Sequence, residues 1–87
     1  MCTMICQRAA VTGSGKGADG WFKLSHVNVS YDHPFHVPLD HSLNIDFVDE
    51  KAGPGARVAV ELTPESAREL VQAILTALEQ GKDIKPG

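Results

Sequence analysis

Apolar residues recur along this chain with two periods, and the period changes once. Val27, Val29 and Tyr31 alternate with polar neighbours, as do Leu43, Ile45 and Phe47, and then Val58, Val60 and Leu62. A period of two marks a strand with one buried face. It predicts strands over 21–32, 41–49 and 56–62, with Trp21 on the same odd-numbered set, and a first strand over 2–11, "CTMICQRAAV". "TGSGKGADG", 12–20, lacks the alternation and reads as a glycine-rich loop, and "EKAGPG", 50–55, reads as a turn. From residue 64 the spacing becomes three and four. Ala67, Leu70, Val71, Ile74, Ala77 and Leu78 form one stripe of a helix over 64–80. Thr63 is its N-cap, Pro64 sits where a missing N–H costs nothing, Glu65 complements the dipole, and Gly81 stands just past the end. The expected fold is α+β: a four-stranded antiparallel sheet with one C-terminal helix packed on the odd-numbered face, ββββα. One domain spans 1–81, and 82–87 is a loose tail.

Parity then fixes what lies on the other face. Opposed residues of antiparallel strands point to the same side. Pairing Val29 with Ile45 sets Tyr31 against Leu43 and Val27 against Phe47, and a slip by one residue would turn this apolar set to the wrong side. The even face then carries Asn28 against Asp46, Ser30 against Asn44 and Asp32 against Ser42, with His26 further along. Short polar residues are poor strand formers. In a row they suit a polar cavity, or a face shared between two subunits, as well as open water.

"YDHPFHVPLDHS", 31–42, holds three of the chain's four histidines. Pro34 and Pro38 fix their own φ and push His33 and Val37 towards extended backbone, which makes a stiff platform. Three readings stand together. His36 or His33 is an acid/base group oriented by Asp32 or Asp40, with His26, Asn28, Ser30, Asn44 and Asp46 holding a small polar ligand. Alternatively, His33, His36 and His41 hold a divalent transition metal such as zinc. In the third reading the segment is a structural turn. In a polyproline-like segment His33 and His36 lie about 9 Å apart. One tetrahedral zinc, with Zn–N bonds of about 2.0–2.1 Å, needs them closer, so a metal requires a sharper turn or the His33–His41 pair across the strands.

Other motifs add less. On an extended strand Cys2 and Cys6 lie about 13 Å apart, too far for a disulfide. Removal of Met1 would expose Cys2 as an N-terminal nucleophile with its own amine. "TGSGKG" resembles a phosphate loop, but Ala10 stands where the first Walker glycine belongs and Gly17 follows Lys16. A backbone anion nest with Lys16 is what remains of that idea.

Composition narrows the classes. Eighty-seven residues make one domain with a thin core, for which a homodimer is the natural remedy. The net charge of −3 gives no footprint for nucleic acid. The apolar runs are too short for a bilayer, and the N-terminus lacks the charge and apolar order of a secretory signal, so the expected compartment is the cytoplasm.

"AAVTGSGKGADGWFK", "YDHPFHVPLDHSLNIDF" and "GARVAVELTPESARELV" together resemble a family of short, functionally uncharacterised bacterial proteins, largely actinobacterial. The resemblance covers nearly the whole chain. It implies a bacterial, cytoplasmic, single-domain protein and carries over no activity and no catalytic residue. A small homo-oligomeric enzyme or ligand-binding protein, a metal-binding protein and a non-catalytic partner module all remain open.

Overall fold

A computed structural model describes residues 5–53 and 55–87. The elements run β1 (Ile5–Gly17), β2 (Gly20–Asp32), β3 (Ser42–Val48), a 3₁₀ turn (Glu50–Ala52), β4 (Arg57–Leu62) and α1 (Pro64–Gln80). The four strands form one antiparallel sheet in the order β1-β2-β3-β4, followed by the helix, which is the expected ββββα arrangement. The central register is the expected one, with Val29 opposite Ile45, Tyr31 opposite Leu43 and Val27 opposite Phe47. Leu62, Val60 and Val58 continue those rows onto β4. Cys2 lies outside the described residues, and with it the question of its spacing from Cys6; Cys6 itself is an exposed free thiol.

The glycine-rich stretch is not a loop. β1 runs through "TGSGKG" to Gly17, pairing Gly13 with Leu24, Gly15 with Phe22 and Gly17 with Gly20. Alternation could not reveal this strand, because glycine and serine have no apolar side chain to alternate. Its purpose is steric. A Cβ on Gly15 would lie 3.1 Å from Leu24 Cδ2 and 3.6 Å from Val58 Cγ2, and one on Gly17 would lie 3.2 Å from Phe22 Cε1 and 3.5 Å from the Arg57 carbonyl. Val58 and Arg57 belong to β4, the opposite edge of the sheet. The sheet therefore curls until the β1–β2 hairpin arm meets β4, and only small residues permit that approach. The turn is two residues long, Ala18 and Asp19, and its positive φ falls on Gly20 at 116°.

A register shift between Ala10 and Gly13 sets off the arm from the rest of β1. Such a bulge bends a strand and raises its twist. Phe22 and Leu24 thus join the neighbourhood of Val58, while Trp21, expected on the buried odd set, is 70% exposed.

The helix starts as expected. Thr63 Oγ1 accepts the Ser66 N–H at 3.1 Å and Pro64 opens the first turn. At the other end the Gly81 N–H donates to the Ala77 carbonyl at 3.0 Å with φ −94°, so the helix stops without a left-handed cap. Its meeting with the sheet is confined to its beginning, where Pro64, Ala67 and Arg68 form one side of a cleft against Ile5, Tyr31 and Leu43. Beyond that the apolar stripe faces outward. Ile74 is 50% and Leu78 66% exposed. Among the described residues, Val27, 9% exposed, is the one hydrophobic residue that is buried.

Candidate functional site

The register lays out the even face in rows. Cys6, Ser30, Asn44 and Glu61 lie side by side from β1 to β4, and Arg8, Asn28, Asp46 and Ala59 form the next row. The connection between β2 and β3 leans over this face towards β4. Glu61 draws it there. Its Oε2 accepts the Phe35 N–H at 2.6 Å, and its Oε1 accepts those of His36 and Val37, each at 3.0 Å. The Val37 and Phe35 N–H groups hold the Glu61 carboxyl below the usual carboxylate range, with smaller help from His36 and against a small opposing effect of desolvation. Three consecutive N–H groups on one carboxylate make an anion nest that the protein fills itself.

Between this segment and the sheet runs a groove of about 470 Å³, lined by Asn28, Ser30, Asp32, His33, Asn44 and Asp46 together with Phe35, Arg57 and Glu61. Six residues singled out from sequence thus converge. Arg57 and Glu61 do not stand among those expectations, although the alternation of β4 contains them: if Val58, Val60 and Leu62 face one way, Arg57 and Glu61 face the other. Arg57 Nε donates to Asp46 Oδ1 at 2.9 Å. Asp32, Asp46 and Glu61 outnumber Arg57, so the groove's lining is acidic on balance.

Histidine placement divides the cluster. The His33 backbone N–H donates to Asp32 Oδ1 at 2.7 Å, and its ring Nδ1 lies 2.8 Å from the Asp40 carbonyl. A carbonyl can only accept, so Nδ1 carries the proton, and in the neutral ring Nε2 is left as a free acceptor. The partner orienting the ring is thus the backbone of Asp40, not a carboxylate of Asp32 or Asp40. His41 stacks on Tyr31 with ring centroids 5.7 Å apart and lies 4.7 Å from the His33 ring. His36 lines an adjoining groove with Phe35, Val37, Arg57, Ala59 and Glu61. Among the described residues, no three His, Cys, Asp or Glu side chains come together as a metal-holding set.

A family model spans residues 1–85, almost the whole chain. The chain belongs to the DUF6295 family of unknown function. No curated protein and no solved structure matches it.

His26 takes a different place in this DUF6295 member. It is buried, 6% exposed, at the bulged end of β2, with Nδ1 3.1 Å from Ser25 Oγ and 3.4 Å from Arg8 Nη2. Arg8 also pairs with Glu50, and the Glu50 N–H donates to Ser25 Oγ at 3.1 Å. This node ties the 3₁₀ turn after β3 back onto β2. It is absent from the groove's lining, so the sequence expectation groups His26 with residues the fold keeps apart from it. The other motif left over, "TGSGKG", is spent on the curled hairpin arm rather than on a phosphate. Among the described residues no helix is long and apolar enough to cross a membrane.

Proposed function

We propose that the chain binds a small polar, neutral or cationic ligand in the groove over the even face, with His33 as its acid/base residue. The observation that supports this reading is the convergence of Asn28, Ser30, Asp32, His33, Asn44 and Asp46 on one groove of about 470 Å³. That is within the size range of small-molecule sites, about 300–1,000 Å³. Asn28, Ser30 and Asn44 supply hydrogen bonds, Asp46 and Arg57 a polarised pair, and His33 Nε2 a proton acceptor. Proton transfer or hydrolysis on a small polar molecule is the chemistry that these groups can carry. Titrating ¹⁵N-labelled protein with a panel of small amines, polyols and amides tests it. Saturable shifts at Asn28, Ser30 and Asn44 are expected, and a panel that leaves those amides unmoved would defeat the reading.

A metal-binding alternative has one observation in its favour, the His33 and His41 rings 4.7 Å apart. With His36 in the adjoining groove, that pair would need further ligands from elsewhere. Metal analysis of untagged protein separates the two readings. The working form is proposed to be a homodimer, because one chain buries so little apolar surface, and the bacterial cytoplasm is the proposed setting.

A further inference from the structure

We infer that the exposed stripe of α1 is the dimer interface: the α1 of a second copy seats in the cleft between α1 and the odd face of the sheet, and the exchange is mutual across a two-fold axis. The inference builds on the homodimer proposed above and adds its surface and occupant. It leaves the even-face groove open.

Area carries the argument. The chain exposes 6961 Å², where a compact monomer of its mass exposes about 5,000 Å². Its radius of gyration is 14.5 Å, against about 12 Å for a compact chain of this length. The surplus of roughly 2,000 Å² exceeds the ~800 Å² per partner of a standard interface and reaches the range of obligate dimers. Part of that exposed surface is an apolar stripe on α1. Leu70, Val71, Ile74, Leu75 and Leu78 are all exposed on one helix. A contiguous apolar patch of that kind is rare on a monomer. The cleft where α1 leaves the sheet is lined by Ile5, Tyr31, Leu43, Pro64, Ala67 and Arg68, and its volume is about 540 Å³. It is largely apolar and open, and α1 of a second copy brings an apolar stripe of matching character. Because each copy carries both stripe and cleft, one two-fold operation satisfies both at once, the self-complementarity that an isologous interface needs.

Sedimentation and light scattering on the full chain test it. The expected species is twice 9.3 kDa, with a thermal midpoint that rises with protein concentration. Ile74→Ala keeps a strong helix former at an exposed position and should raise the dimer dissociation constant at least about tenfold. Ile74→Glu should give a monomer, whereas Ser30→Arg, on the groove face, should leave the dimer intact. A single chain at every concentration overturns both the inference and the homodimer. A dimer indifferent to Ile74→Ala and broken by Ser30→Arg overturns the inference alone and places the contact on the polar face. Should Ile74→Glu fail to fold, Ile74→Ala and the concentration dependence of the unaltered chain decide the matter.

Discussion

Glu61 holds the backbone N–H of Val37 at 3.0 Å, across a sequence separation of 24 residues. That bond, with its companions at Phe35 and His36, fixes the roof of the groove to its floor. Glu61→Gln replaces one acceptor oxygen with a donor that faces an N–H. Amide exchange at Phe35, His36 and Val37 should speed up by roughly an order of magnitude, while exchange in the β2–β3 ladder should not change. Equal exchange in the two proteins would mean that the prolines alone hold the segment.

The same carboxylate makes the roof sensitive to acid. Its ionisation is favoured in the folded chain, so its folded pKa lies below the unfolded value. Stability from such a group is fully present above the unfolded pKa, near 4.3 for glutamate. It is lost as pH falls through the lower folded value. Amide shifts of Phe35–Val37 should therefore hold steady from neutral pH down to the ordinary glutamate range and move together below it. Movement near pH 6–7 instead would point to histidine as the controlling group.

The two groove histidines should separate in function. His33→Gln keeps a polar side chain but removes the free ring nitrogen, and should cost about 10²–10⁴ in any proton-transfer rate. His36→Gln, in the adjoining groove, should cost far less. Both variants should melt within a few degrees of the parent, since each side chain is exposed. A larger loss at His36 would move the chemistry to the second groove.

Packing tests address the curl of the sheet. Val27→Ala removes the best buried hydrophobe and should cost about 2 kcal/mol, or roughly 8–15 °C in Tm. Gly15→Val should cost about 1–3 kcal/mol by overpacking, because the added Cβ already meets Leu24 at 3.1 Å. Gly13→Ala, where nothing lies within 4 Å of a Cβ, is the control. Equal melting of the Gly15 and Gly13 variants would show that the arm does not press on β4.

Alternation and helical spacing made β2, β3, β4 and α1 legible, and parity limited Val29 to odd-numbered partners, of which Ile45 is the one that pairs with it. The rows of the even face followed from it. Three things were hidden. The glycine strand had no side-chain signal. The bulge near Ala10 reassigns faces through backbone geometry that no single residue announces, which is why Trp21 and Phe22 change roles. The apolar stripe of α1 called for cover, and its own sheet, the expected cover, meets only the helix's beginning at Pro64, Ala67 and Arg68. Parity places Glu61 on the groove face but not its role, because its partners are backbone groups of a distant segment and backbone groups leave no mark in a residue pattern.

A single residue, Thr63, joins β4 to α1. Its backbone is extended, φ −66° and ψ 154°, and the following proline restricts it to that region. The junction is therefore a stiff corner rather than a hinge. Glu61 sits on one arm of that corner and the Leu70–Leu78 stripe on the other. Glu61, two residues upstream of the corner, also holds the Phe35–Val37 segment. If a second copy holds the helix, this corner is expected to pass the constraint on to the groove's roof, and amide shifts of Phe35–Val37 that move on Ile74→Ala would reveal it.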